Sequence, residues 1–329
     1  MKNLPRINTF SHHYRGIYGQ GVGKIPIDLG FPCPNRRKGG CIFCQPASFS
    51  PASLQPGAPV AEQIARGKKL LLKSRFRLYF AYFQQETATA PPTDLLMPVF
   101  TAVLADPDCV GLILSTRPDC LRPSLLEQLA NLVTASAKAC HIELGLQSCH
   151  EKSLQRLNRN HSYADFTDAA QRISPGGVLT IGVHLLFGIP GETEDDMLAT
   201  IAMVTALNIQ AIKFHHLQVI KGTTLHSQYL AGEIAVFSED QYQDFLLRAI
   251  PLIPPSIAIH RIWATAHPDL LIAPRWQTLA SELSRKLLTR MELLNIYQGQ
   301  EWIKLHNQQD GEHLCRAQAS VEGKTCQSE

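Results

Sequence analysis

The sequence predicts an α/β fold with a parallel sheet, because short apolar runs with β propensity alternate along the chain with longer segments of helical period. Strands are predicted near residues 24–28, 77–83, 110–115, 140–146, 178–187 and 211–217. Helices are predicted between them near residues 60–73, 93–105, 123–137, 162–173 and 193–207. Six strands with crossover helices can close into a partial or complete barrel or stay open as a doubly wound sheet, and the periodicity allows both.

Start signals support several of these helices. Thr93 precedes an acid, Pro123 suits a first helical position, and Thr193 precedes three acids that complement a helix N-terminus. Residues 238–241 fit a capping box that opens a further helix, which is expected to end near residue 250.

The remaining pattern suggests how the chain is organised. A last strand is expected at 257–262 and a helix across 276–295, and from about residue 298 the polar composition predicts a loosely ordered tail. The predicted organisation is a basic N-terminal arm at 1–18, a core domain at 19–258, a C-terminal strand and helix extension at 259–297 and a tail at 298–329.

Composition indicates an ordinary globular protein. Apolar residues make up 45% of the 329 residues and charged residues 18%. No apolar run approaches the roughly 20 residues needed to cross a bilayer, and the N-terminus lacks the apolar stretch of a signal peptide. We therefore expect a cytoplasmic protein with no membrane partner.

Three of the nine cysteines, Cys33, Cys41 and Cys44, form a C-x7-C-x2-C loop after the first predicted strand. In a reducing compartment, so close a group binds metal more often than it forms disulfides. Three thiolates satisfy three irons of a [4Fe-4S] cubane and leave the fourth iron open. The alternative is structural zinc, which needs a fourth ligand such as His12 or His13.

The other cysteines are not expected to bind the cluster. Cys315 and Cys326 lie in the predicted tail and are interpreted as free thiols. Four more lie in or beside apolar strands and are interpreted as small buried residues: Cys109, Cys120, Cys140 and Cys149.

Several ordered motifs resemble radical S-adenosylmethionine (SAM) proteins of the YhcC-like group, relatives of the Elongator radical SAM subunit and of oxygen-independent coproporphyrinogen oxidase. The resemblance runs from about Arg6 to Trp276. Its motifs lie at residues 30–36, 39–44, 82–84, 115–119, 143–148, 157–159, 188–192 and 219–223. It implies a partial (β/α)6 TIM-like barrel with a C-terminal extension, and a radical SAM enzyme whose SAM occupies the open iron.

The resemblance also implies residues that contact SAM. Phe43 would lie against the adenine, Gln84 near the amino group, and Gln147 and Arg159 at the ribose and carboxylate. Ser115 stands where the Elongator-like relatives have an acid, and it is kept in the predicted SAM site. The remaining predicted contacts come from the turn that would pass the adenine: Gly188 and Ile189.

The implied activity is reductive cleavage of SAM to methionine and a 5′-deoxyadenosyl radical, with electrons from a donor such as flavodoxin or ferredoxin. Kinship with the Elongator subunit favours tRNA, at a wobble uridine, as the substrate. Residues 1–40 agree with this, because they carry seven Lys or Arg against one acid, a local charge of +6. The alternatives are a small metabolite as substrate, or a non-catalytic iron-sulfur protein that binds SAM as a regulatory ligand.

Polar residues on or after the late strands are candidates for substrate contacts: Lys213, His215, His216, Lys221, His260 and Arg261. Lys213 and Lys221 are expected at the barrel mouth, where they would join the basic segment in binding tRNA. His215 and His216 are adjacent on a strand and so point to opposite faces, which assigns one of them a structural role.

Overall fold

A curled sheet of seven parallel strands forms the centre of the computed structural model, which describes residues 5–50, 54, 57–73, 75–173 and 177–304. Its strands are β1 (Val22–Ile27), β2 (Leu78–Phe83), β3 (Cys109–Thr116), β4 (Ala139–Gln147), β5 (Leu179–Phe187), β6 (Ala211–His216) and β8 (Ala258–Arg261). In sequence, β7 (Val219–Ile220) lies between β6 and β8, and β9 (Leu271–Ala273) follows β8. These two short strands pair antiparallel with each other. The predicted α/β partial barrel is confirmed. The strand expected at 257–262 joins the main sheet as its seventh member.

Most of the helices follow a strand in sequence and cover the outer face of this sheet. The helices are α1 (Phe10–Tyr18), α2 (Val60–Gly67), α3 (Thr93–Leu104), α4 (Pro123–Ser136), α5 (Glu151–Arg156), α6 (Tyr163–Ile173), α7 (Glu194–Thr205), α8 (Thr224–Leu230), α9 (Glu239–Ala249) and α10 (Ala280–Leu293). Two have the capping boxes that the sequence suggests, at Thr193 with Asp196 and at Ser238 with Gln241. Helices α1, α5 and α8 were not predicted, because each spans at most nine residues, which is too short for a helical period to repeat clearly.

Each strand presents alternate side chains to two different environments. On β2, Tyr79 and Phe83 belong to the main apolar core between the sheet and the helices. Phe80 and Tyr82 face the other way, into the concave side of the half-barrel. The concave side is therefore a separate compartment, in which polar side chains from several strands can meet.

The N-terminal segment closes the amino end of this compartment. The amide of Ile259 on β8 donates to the carbonyl of Asn8 over 2.8 Å, so the segment lies beside the last strand of the sheet. Tyr14 on α1 is buried against Phe80 and donates to or accepts from His141, near the start of β4, over 2.9 Å. Most of the segment predicted as a basic arm at 1–18 is thus packed on the barrel, and residues 1–4 lie outside the described residues.

The C-terminal region is also packed on the barrel. Leu283, Leu287 and Met291 of α10 are buried in the main core. The buried side chain of Gln298 donates to the carbonyls of Pro254 and Ile257 and so ties the chain to the start of β8. Most of the predicted tail, including Cys315 and Cys326, lies outside the described residues. Among the described helices, none has the length and apolar character that crossing a bilayer requires.

Candidate functional site

The cysteine loop follows β1 at the carboxyl end of the sheet. A short 3₁₀ helix, Pro34–Lys38, separates Cys33 from a glycine pair that takes positive φ angles of 90° and 72°. Only glycine adopts this conformation without strain, so the pair lets the chain turn back toward Cys41 and Cys44. All three thiols line the same cavity.

Side chains from a distant segment hold this loop in place. The amide of Asn158 donates to the carbonyls of Lys38 and Gly40, over 3.0 and 2.6 Å. Asn35 is buried and donates over 2.8 Å to the carbonyl of Asn158. The amide of Ile42 donates to the carbonyl of Leu157 over 3.1 Å. The 157–159 motif therefore fixes the shape of the cysteine loop, a role that its sequence did not reveal.

Nitrogen donors lie near two of the three cysteine sulfurs. Arg159 Nη1 lies 3.1 Å and Asn35 Nδ2 3.3 Å from Cys41 Sγ, and Arg36 Nη2 lies 3.9 Å from Cys44 Sγ. Burial, and then nearby Cys41, raise the pKa of the Cys44 thiol to about 12, although Arg36 acts in the opposite direction. These donors suit thiolates that bind iron, because hydrogen bonds to cluster ligands stabilise their negative charge.

The structure places neither histidine of the zinc alternative near the three cysteines. His12 and His13 belong to α1, which closes the amino end of the barrel, whereas the cysteines lie at the carboxyl end. Within the described part of the chain, no three His, Cys, Asp or Glu side chains converge tightly enough to hold a single metal ion. The three thiols fit a larger metal centre that takes three thiolate ligands, such as a [4Fe-4S] cubane.

A single cavity runs from the cysteine loop into the barrel and brings together most of the predicted SAM contacts. Its lining includes five of them: Phe43, Gln84, Ser115, Gln147 and Arg159. The other two, Gly188 and Ile189, are not part of the lining that the structure describes. Ile189 is buried in a small apolar cluster against which Phe43 packs, so it supports the wall from behind.

The five lining residues have distinct environments. Gln84 donates over 3.0 Å to the carbonyl of Phe49, and Ser115 donates over 3.0 Å to Glu143. Gln147 is buried and has a positive φ of 84°, which is rare for a residue other than glycine and is typical of functional sites. Arg159 contacts the carbonyl of Gly145 over 2.5 Å as well as Cys41. Their roles toward SAM stay predictions.

Glu143 lies at the centre of the barrel interior and accepts hydrogen bonds from side chains on five other strands. The contacts come from Tyr82 at 3.0 Å, Ser115 at 3.0 Å, His184 at 2.8 Å, Lys213 at 3.3 Å and His260 at 3.2 Å. Burial alone would raise the pKa of Glu143, but Lys213 and the two histidines together hold it well below its usual range. The carboxylate is therefore ionised and both of its oxygens are occupied.

Sequence reasoning had assigned Glu143 and Tyr82 to motifs without giving them a role. A signal was present, since charged residues or histidines interrupt the apolar pattern of strands β1, β4, β5 and β6. One such residue from each strand faces the concave side: Lys24, Glu143, His184 and Lys213.

Two expectations about the late strands need correction or refinement. Lys213 was expected at the barrel mouth, but it is 6% exposed and lies midway along β6 on the inner face. It is therefore placed to reach a group inside the cavity and not a phosphate at the surface. His216 stacks on Trp276, with ring centroids 4.3 Å apart, and contacts the Tyr242 ring at a tilt, which agrees with a structural role for one of the two adjacent histidines.

Comparisons with known proteins identify the family. The model of the radical SAM superfamily matches residues 32–204, and that of the radical SAM C-terminal domain matches residues 209–292. YtqA of Bacillus subtilis is 32% identical over 308 residues, which cover 92% of this chain and 95% of that protein. YhcC of Escherichia coli is 34% identical over 277 residues, which cover 82% of this chain and 87% of that protein.

More distant relatives share part of the chain or the fold. A tRNA uridine(34) acetyltransferase of Methanocaldococcus infernus is 29% identical over 157 residues, which cover 47% of this chain but 28% of that protein. The solved structure of archaeal Elp3 from the same organism superimposes with a TM-score of 0.64 at 18% identity, covering 85% of this chain and 64% of that one. The chain is thus an enzyme of the radical SAM superfamily.

Proposed function

We propose that this enzyme binds a [4Fe-4S] cluster through Cys33, Cys41 and Cys44 and cleaves SAM reductively beside it. The observation that supports this most directly is that the three thiols and the charged residues of the barrel interior line one cavity. A cofactor held at the cysteine loop would therefore face any substrate held deeper in the barrel.

The residues around the cysteines fit this cofactor. When bound, the cluster and SAM supply a one-electron reduction and a carbon radical that removes hydrogen from a substrate. Arg159, Asn35 and Arg36 would stabilise the negative charge of the thiolates. The carboxyl group of Glu86, which accepts from the Cys33 amide over 3.0 Å and pairs with Arg36 at 2.9 Å, would keep that part of the loop fixed.

The barrel interior would orient the substrate and exclude water. Glu143 holds Tyr82, His184 and Lys213 in one hydrogen-bonded network, so these side chains have little freedom to rearrange. Preorganised polar groups in a buried cavity act more strongly on a bound molecule than they would in water.

For the substrate we propose tRNA, at a wobble uridine. The support is the partial similarity to a tRNA uridine(34) acetyltransferase, together with exposed basic residues of the cysteine loop itself, among them Arg37 and Lys38. The basic N-terminal residues do not all lie on this side. Arg15 is exposed on α1, at the opposite end of the barrel, and the guanidinium of Arg6 donates to the carbonyl of Ile296.

A small metabolite is the second candidate, and the enclosure of the charged cluster favours it. Lys213, His215 and Arg261 lie within the cavity, where they can contact only a molecule or a flipped-out group that enters it. A tRNA base would have to leave its stack to do so. Profiling of tRNA nucleosides and of metabolites from a deletion strain would distinguish the two, because only the true substrate should accumulate unmodified.

Replacing Arg159 by lysine should weaken SAM binding by roughly 1–3 kcal/mol, since a lysine ammonium cannot reproduce the forked contacts of a guanidinium. Equilibrium dialysis of the reconstituted protein against labelled SAM measures this. Arg285→Lys, at an exposed position of α10, is the matched control and should bind SAM normally. An unchanged dissociation constant for Arg159→Lys would remove Arg159 from the SAM site.

The tRNA proposal predicts an interaction that weakens steeply as salt increases, because phosphate contacts by Lys and Arg release counterions. Arg37→Ala with Lys38→Ala should lower the affinity and reduce the slope of log affinity against log salt by up to about 0.9 for each lost contact. Arg15→Ala, at the opposite end of the barrel, should change neither quantity. Binding that does not depend on salt, or an equal effect of Arg15→Ala, would contradict this.

A further inference from the structure

The inner wall formed by β6 and β8 carries three cationic or polar side chains that face the cavity. Lys213 on β6 is paired in register with Arg261 on β8, and His215 lies two residues farther along β6. All three line the cavity that the cysteine loop opens into. None of them is used in holding the cysteine loop, so their presence on this wall needs its own explanation.

Arg261 is enclosed without a carboxylate partner. Its Nη2 lies 3.0 Å from Nε2 of His215 and also contacts Nδ1 of the same ring, while its Nε is buried with no hydrogen-bond partner. Burial lowers the pKa of Arg261, because the surroundings do not compensate for its charge. Among the residues that the structure describes, no carboxylate lies within ion-pair distance of it.

Two other arginines of the same cavity have carboxylate partners. Arg36 pairs with Glu86 at 2.9 Å and Arg117 with Asp119 at 2.8 Å. A buried charge is ordinarily paired in this way, since leaving it unpaired costs several kcal/mol or more. Arg261 lacks such a partner among the described side chains, as does Arg159, but the guanidinium of Arg159 contacts Cys41 on the cofactor side.

The carboxylate of Glu143 does not neutralise the positive charge of this wall. Both of its oxygens already accept hydrogen bonds, and its nearest cation is Lys213 at 3.3 Å. A further cation, Lys24, lies 3.9 Å from the centre of the Phe10 ring and has no carboxylate partner among the described residues. The described barrel interior thus contains one buried carboxylate, that of Glu143, and three basic side chains: Lys24, Lys213 and Arg261.

His215 does not supply the missing negative charge. Burial, and then Arg261, hold the pKa of His215 well below its ordinary value, so the ring is neutral. A neutral imidazole accepts one hydrogen bond from the guanidinium and leaves the charge of Arg261 in place. The wall remains positively charged and open to the cavity.

We propose that Arg261, with Lys213 and His215, forms a subsite for an anionic group of the substrate, a carboxylate or a phosphate. This rests on the proposed function, since it assigns the substrate side of the same cavity. A guanidinium with unused donors beside an ammonium is suited to such a group, because planar forked donors match carboxylate and phosphate oxygens. Arg159 contacts Cys41 and lies on the cofactor side, which makes the two arginines separate anion sites.

Binding of simple anions tests this subsite directly. The reconstituted protein, saturated with SAM and kept oxidised so that no cleavage occurs, is dialysed against labelled inorganic phosphate and labelled succinate at constant ionic strength. We expect saturable binding of at least one of them, and a loss of at least tenfold in affinity in Arg261→Met. Arg248→Met is the matched control, since Arg248 is exposed on α9 and pairs with Glu194, and its anion affinity should be unchanged.

A second measurement separates a binding role from a structural one. If Arg261 serves a ligand, Arg261→Met removes a charge that has no carboxylate partner and should leave the melting temperature unchanged or raise it. A fall in melting temperature with unchanged anion binding would overturn the proposal, as would the absence of saturable binding of both anions to the wild-type protein. If Arg261→Met does not fold, Arg261→Lys, which keeps the charge without the fork, should fold and bind the anion several-fold more weakly. Equal binding by Arg261→Lys would also count against the subsite.

The same samples show whether the proposed function has failed independently. Iron content and 5′-deoxyadenosine formation report on the cluster and on SAM cleavage, and the dialysis reports on the subsite. Anion binding without SAM cleavage would support the subsite and reject the proposed activity. SAM cleavage without anion binding would support the activity and reject the subsite.

Discussion

Alanine at Cys33, Cys41 or Cys44 should abolish the iron-sulfur cluster. The wild-type protein, reconstituted without oxygen, is expected to hold about four irons with the broad visible absorption of a cubane. Each of the three thiols lines the same cavity, and the loop provides no spare cysteine beside them. Loss of one ligand therefore leaves an iron with no protein donor. Iron and sulfide analysis with visible spectroscopy measures the outcome.

Cysteines elsewhere in the chain provide the controls. Cys109→Ala, within β3, should keep full iron content, because its thiol lies inside the sheet and donates to the carbonyl of Gly111. Cys315→Ala and Cys326→Ala should also keep the cluster, and iron loss in either would identify a further ligand. Stoichiometric zinc without sulfide in protein isolated anaerobically would reject the cluster assignment.

Much of the fold could be predicted because its signals are local. Strands β2 to β6 begin and end within two residues of their predicted positions, since each is a short apolar run bounded by polar residues. Helix α1 was missed for the opposite reason. Its stability comes from Tyr14 and its aromatic contacts with the barrel interior, and sequence periodicity does not report such tertiary packing.

The candidate site divides in the same way. The cysteine loop was recognisable because its ligands lie within twelve residues of one another in the sequence. The Glu143 network was not, because its members come from different strands and meet only through the curl and register of the sheet. Asn35 and Asn158 were also missed as anchors of the loop, since 123 residues separate them and asparagine has no typical spacing for this role.

Replacing Glu143 by glutamine should destabilise the protein by about 3–5 kcal/mol, the range found when one partner of a buried ion pair is removed. Glutamine keeps the size of the side chain but leaves the buried ammonium of Lys213 without its carboxylate. Burial already lowers the pKa of Lys213 to about 7, even with Glu143 present. Urea unfolding of the metal-free protein at pH 7 measures the loss.

A double-mutant cycle shows whether the loss arises from this pair. In Glu143→Gln with Lys213→Met, neither charge remains, so the double variant should be more stable than the sum of the two single effects predicts, by roughly 0.5–3 kcal/mol. Iron content after reconstitution should be normal in all three variants, because neither residue contacts the cysteine loop. Strict additivity of the two free-energy changes would show that Glu143 and Lys213 are not coupled, and the charge balance of the barrel interior would then have to involve other groups.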